Sequence, residues 1–434
     1  MPIVLPVGPR AGRLAQTLAF HRDPLGWLRR EQARYGDVFT MRLATTGPVV
    51  VVADAELAAT LPGADPATAH AGAARRGMLP MASPRSIFGS DGDGHQAARS
   101  RVEDLFALDA VAQRRDAMQA VAHAHVARWP RDRPLRLLPR MRAIADEVFV
   151  REVLGVEGPR ANALAQSIGS LLWTPGNPPV TIPGPEDGLL GRGIDVAYQR
   201  RRAPVARLLE DEIAQRRRAD EPGGGVLGRL VAAEAQTDAG DLVEELLALL
   251  MAAQEPMAAA LTWVLLRIAA TPGLAERLSD DAAGDLAGAV VTETLRLHPS
   301  AIGVLRKLTA PVEIGGHVLP AGTTTMVPIP FLQRDVRYHP DPDAFRPDRH
   351  QDPAHLVPEH ALLPFGGGAR RCIGEPLAWT QIGAVVPTML SAVSLRAVGT
   401  QPEKMVLRGT ILVPRRSGLV IAGAAATART SART

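Results

Sequence analysis

The chain has 434 residues, 46% hydrophobic and 22% charged, with a formal net charge of +4. This is the make-up of a globular chain with a large core. It excludes a low-complexity or disordered polymer, and no basic stripe interleaved with aromatics points to nucleic acid. A single cysteine excludes an internal disulfide framework and fits a reducing compartment.

Asp23-Pro24-Leu25 predicts the start of an amphipathic helix running through Arg34, and Tyr35-Gly36-Asp37 turns it into two strand-like runs, Val38 to Leu43 and Pro48 to Ala53. Residues 62–94 are rich in Gly, Ala and Pro and read as a long, partly ordered loop, a common place for binding residues. Helical periodicity returns from His95 to Arg128 and from Arg140 to Leu172. Thr174 to Pro185 then forms a Pro- and Gly-dense break suited to a lid. A charged helix is expected from about Ile194 to Arg218, then the turn Pro222-Gly223-Gly224-Gly225, then helices from Asp241 to Leu297. Short strands flank Gly315-Gly316 and recur near Met405 to Ile421. With no repeat and no linker, residues 1–422 read as one mainly α domain with small β-sheets, and residues 423–434 as a disordered tail.

The most apolar window, Leu246 to Leu266, approaches membrane-spanning length, but Gln254, Glu255 and Pro256 sit in its middle. It therefore reads as a core helix. Met1 to Arg10 lacks the charged-then-apolar plan of a signal peptide, so the expectation is a cytoplasmic protein without a membrane anchor.

The lone cysteine closes the run Phe365-Gly366-Gly367-Gly368-Ala369-Arg370-Arg371-Cys372-Ile373-Gly374, and Glu375-Pro376-Leu377 behind it opens a helix. An inert core cysteine needs neither glycines nor arginines. A cysteine just ahead of a helix N-terminus faces unpaired N–H groups and the positive end of the dipole, which favour a thiolate. The spacing Phe365-x-x-Gly368-x-Arg370-x-Cys372-x-Gly374 is similar to the haem-ligand loop of the cytochromes P-450, and further resemblance runs from Asp23 to the Gly418 turn.

That resemblance implies the triangular-prism fold of the family, one haem b, and Cys372 as axial ligand of its iron. A thiolate there favours O–O cleavage. It also implies roles for other positions. Glu293, Arg296 and Arg349 match a structural ion-pair network, with Pro347-Asp348-Arg349-His350 in place of a Pro-Glu-Arg-Phe-like segment. His95, Arg99, Arg306 and Arg370 match propionate-binding positions, where paired donors suit carboxylates. Phe88, Met251, Ala252, Met257, Ile302, Val304 and Leu412 are candidate walls of a lipophilic substrate pocket.

The departure lies in Leu250-Met251-Ala252-Ala253-Gln254-Glu255-Pro256-Met257. Glu255 matches the family's acid, but Pro256 stands where a threonine is expected. Proline brings no hydroxyl and no N–H, and it is expected to kink the helix and free carbonyls. One reading is a monooxygenase of natural-product tailoring, with substrate hydroxyls or water supplying the protons. A second is an atypical enzyme that uses peroxide, or that rearranges or transfers a group on a pre-oxidised substrate. A third is a non-catalytic haem-binding sensor or partner protein. A single cysteine cannot hold an iron–sulfur cluster, so electrons would come from a separate ferredoxin and ferredoxin reductase. Arg371 is a candidate contact for an acidic ferredoxin.

Overall fold

The computed structural model describes residues 5–44, 46–59, 61, 67–76, 82–172, 188–219, 223–233, 238–281, 284–354, 357–399 and 401–425. The lid-like segment from Thr174 to Pro185, the first residue of the 222–225 turn, and residues 426–434 of the expected tail lie outside them.

The apolar window becomes the central helix, Ala239–Ala270. Asp238 caps it by accepting from the Gly240 N–H at 2.8 Å, which satisfies one of the free amides at a helix start. It is long and apolar enough to cross a membrane, yet most of its apolar window is enclosed by the fold. It packs against helices Leu137–Val148, Gly188–Arg218, Asp285–Leu297 and Glu375–Ala392, with Leu250, Ala258, Leu261 and Leu265 fully buried. Pro256 sits inside the helix without ending it. What the proline removes is the N–H that would have bonded the Ala252 carbonyl four residues earlier.

A second body of core lies under a five-stranded sheet ordered Val38–Leu43, Gly47–Val52, Thr324–Val327, Val304–Leu308, Ala69–His70. The second and third of these strands run parallel and the other pairs antiparallel. Leu419–Ala424 pairs with Pro134–Arg136 on one side and Val393–Ala397 on the other, which ties the end of the described chain to its first half. Gly423 and Ala424 lie in this ladder opposite Ser394 and Val393, so the expected tail does not begin at residue 423.

Other boundaries also move. Residues 62–94, read as loop, hold the short strand Ala69–His70 and the helix Ala71–Arg76 among their described positions. Asp91 organises this stretch by accepting from the Gly72 and Ala73 N–H groups, each at 2.7 Å. The chain is mostly helical with small sheets, as expected.

Candidate active site

The cysteine loop is built by its backbone. Gly366 and Gly368 take φ of 70° and 62°, a left-handed conformation that an L side chain strains to adopt. The loop can then turn back, so that the Cys372 N–H donates to the Phe365 carbonyl at 2.9 Å, and helix Glu375–Ala392 starts directly after it with Pro376 in its first turn. Cys372 counts as exposed by area, but only because it lines an internal cavity; it lies deep in the molecule. Burial pushes its thiol up, and the Gly374 N–H, Arg99 and Arg75 only partly offset this. The expected preference for thiolate is thus reversed in the protein alone, because desolvation outweighs the helix terminus. A cation at the sulfur would restore it.

That cavity has a volume of about 330 Å³. Arg75, His95, Arg99, Arg306 and Arg370 line it together with Cys372. Arg306, on the sheet, is 3% exposed and donates to its neighbour's carbonyl, Leu305 O, at 2.9 Å. Arg370 donates to Asp91 Oδ1 at 2.8 Å, and Arg99 donates to the Arg371 carbonyl at 3.0 Å. Arg75, which sequence reasoning missed, lies over the Phe88 ring at 4.2 Å and donates to the Phe88 carbonyl at 3.3 Å. Burial lowers Arg75 to about 9, with Arg370 and Arg306 adding repulsion. Arg306 falls to about 10 from burial and Arg370, and His95 to about 4 from burial, Arg370, Arg99 and Arg75. Asp91 is the carboxylate that eases all three. The cluster holds more buried positive charge than the protein itself compensates.

Most of the remaining wall is apolar. Of the predicted pocket residues, Phe88, Ala252, Met257 and Val304 line the cavity, as does Pro256. Met251, Ile302 and Leu412 do not. Ile302 and Leu412 pack instead in the core beneath the sheet, and Met251 packs against the main helical core. Glu255 also misses the wall. Its carboxylate takes two contacts from Arg142 on helix Leu137–Val148, at 2.8 Å and 2.5 Å, so it turns toward the neighbouring helix. Arg371, the candidate ferredoxin contact, is bound by Glu375 at 2.6 Å and Glu359 at 2.9 Å.

The Glu293–Arg296 pair is fully buried, with bonds of 2.7 and 2.8 Å. The Glu293 carboxylate is also reached by Arg349 at 3.2 Å, by His350 at 2.8 Å and by the Arg346 N–H at 2.9 Å. Burial alone would raise the Glu293 carboxyl, but bonds from Arg296 and His350 hold it at about 2. The histidine that departs from the family segment is therefore a working member of the network.

A larger cavity, about 730 Å³, lies elsewhere, between helices Arg115–Val126, Leu137–Val148 and Gly158–Leu172. Its wall includes His125, Arg142, Asp146, Glu147 and Arg151, and none of the cysteine loop. Size does not make it the chemical site.

A sequence description of the cytochrome P-450 family matches residues 227–422. Over 432 residues the chain is 33% identical to cytochrome P-450 135B1 of Mycobacterium tuberculosis, covering 96% of this chain and 91% of that protein. The chain belongs to the cytochrome P-450 family. It is also 30% identical to cytochrome P-450 135A1 of the same species, covering 95% and 93%. Among solved structures, retinoic acid-bound cyanobacterial CYP120A1 superposes with a TM-score of 0.82 at 21% identity, covering 97% of this chain and all of that one. A mutant of P-450 EryK in complex with erythromycin B gives 0.73 at 22%, covering 93% and 97%. At that identity the likeness speaks for the fold. Family membership makes the chain an oxidoreductase of the haem-thiolate, monooxygenase type. Haem suits what is present, since a flat group carrying iron and two carboxylates would meet one sulfur and a surplus of buried cations.

Proposed function

We propose that this chain is a haem b monooxygenase that oxidises a lipophilic small molecule in natural-product tailoring, with O2 and electrons from a ferredoxin and its reductase. The observation that carries the reading is the meeting, in one cavity, of Cys372, five arginines and a largely apolar wall. When bound, haem would supply the one-electron and O2 chemistry that side chains lack.

The chain's own residues do the rest. Cys372 would hold the iron, and Arg75, Arg99, Arg306 and Arg370 would pair with the propionates. His95, neutral at ordinary pH because its pKa is about 4, would donate a ring N–H there. Phe88, Ala252, Met257 and Val304 would take the apolar body of the substrate and keep water from it. Glu293, Arg296, Arg349 and His350 hold the chain in the shape that presents the loop. One domain that reaches at least residue 424 fits the interlocked sheets, and a cytoplasmic location fits the enclosed central helix. Because Arg371 is bound by two glutamates, a ferredoxin contact there would have to break them; Arg371→Glu leaving reduction kinetics unchanged removes that contact.

Carbon monoxide on the reduced holoprotein should give the red-shifted Soret band of thiolate ligation, absent in Cys372→Ala. Turnover under isotope-labelled O2 should place the label in the product. Pro256, which brings no hydroxyl, favours a second reading, peroxide or a pre-oxidised substrate as oxidant; label absent from the product with turnover supported by peroxide would select it. Indifference of the optical spectrum to every lipophilic candidate would favour a sensor or partner protein instead.

A further inference from the structure

We infer that Ser300 holds the proton-donating water on the central-helix wall, where Pro256 leaves no side-chain hydroxyl. This rests on the monooxygenase reading above. Inserting one oxygen atom into a C–H bond and releasing the other as water consumes two electrons and two protons, so a donor must sit on the otherwise apolar side of the cavity.

Among the described residues lining that cavity, Ser300 carries the only hydroxyl. It follows Pro299 on the segment after helix Asp285–Leu297, far in sequence from the central helix. Its Oγ–H donates to the Pro256 carbonyl at 2.8 Å. Its backbone is fixed as well, since the Leu412 N–H donates to the Ser300 carbonyl at 2.8 Å and Ala301 bridges to Ile411. The serine is thus set in place before anything binds.

The direction of that bond decides the role. With its proton given to Pro256, the hydroxyl keeps its lone pairs to accept from a donor in the cavity. A water that donates one O–H to Ser300 has its other O–H left for the reacting oxygen. It gives up that proton and is reprotonated from solvent, so the serine is unchanged. Ser300 is therefore a positioning residue, and Glu255, tied to Arg142, is not needed on this wall.

The test compares Ser300→Ala and Ser300→Thr holoproteins with NADPH, a ferredoxin and its reductase, and a substrate that gives a spin shift. The alanine variant should make about tenfold less product per NADPH, the loss of one net hydrogen bond, with the balance released as peroxide. Threonine should restore most of it. Independently of turnover, the C–O stretch of the carbon monoxide adduct should move in the alanine variant and return in the threonine one. Unchanged coupling in Ser300→Ala overturns the inference, and so does an unmoved stretch. If the natural enzyme itself makes no labelled product from O2, the monooxygenase reading fails, while the stretch still decides whether Ser300 faces the reacting side.

Discussion

Arg75 shows how a residue earns a role only through the fold. In the sequence it is one of three arginines in the Gly-, Ala- and Pro-rich stretch 62–94. The helix Ala71–Arg76, held at its start by Asp91, carries it to the cavity beside Arg370 and Arg306. A cation lowered to about 9 by burial and by like neighbours is destabilising unless an anion arrives. Arg75→Gln should therefore keep or slightly raise the melting temperature of the haem-free chain. The same change should speed transfer of haem to a competing acceptor by about tenfold, the effect of one charge-assisted bond. Loss of stability without faster haem transfer would mean that Arg75 is structural only.

At the scale of elements, the buried Glu293 cluster gives the largest expected effect. Glu293→Gln leaves Arg296 and Arg349 buried without their anion, which costs on the order of 3–5 kcal/mol. Chemical denaturation should register the loss, and haem content should fall with it. The cluster also shows what a sequence can and cannot disclose. The cysteine loop and Glu293-x-x-Arg296 are local patterns whose geometry follows from spacing, since glycines must turn and residues three apart share a helix face. His350 and Arg75 act across dozens of residues, and nothing local marks them. Glu255 turns to Arg142 for a related reason: one position along a helix turns a side chain by about 100°, and whether it meets the cavity or Arg142 depends on which neighbour packs where. By propensity Pro256 would break a helix, yet Ala239–Ala270 continues past it because packing on several sides holds it.

For the whole molecule, two buried carboxylates contribute to the dependence of stability on pH with opposite signs. Glu293, at about 2 when folded and 4.5 as the ordinary value, binds fewer protons folded than unfolded between those points; its contribution is present above 4.5 and lost as pH falls toward 2. Asp146 behaves inversely. It is 6% exposed on the wall of the larger cavity, where burial first, and then the charge of Glu255, push it up to about 8 against the pull of Arg142. No hydrogen bond or ion pair reaches it from the described residues, although His125, Glu147 and Arg151 share that wall with ion pairs of their own. Between 3.8 and 8 the folded chain holds a proton at Asp146 that the unfolded chain has released, so stability declines as pH rises through that window. The Asp146 contribution should accordingly be most favourable in acid and fade as pH rises, while His95, at about 4 against 6.5, and His298, also lowered by burial, pull the other way below neutral. Asp146→Asn keeps the shape and removes the titration. Its melting temperature should match the natural chain near pH 4 and exceed it by a few degrees at pH 8, flattening the alkaline decline. Parallel melting curves for the two proteins across that range would mean that Asp146 is ionised in the fold and that the cavity beside it is wet enough to solvate the charge.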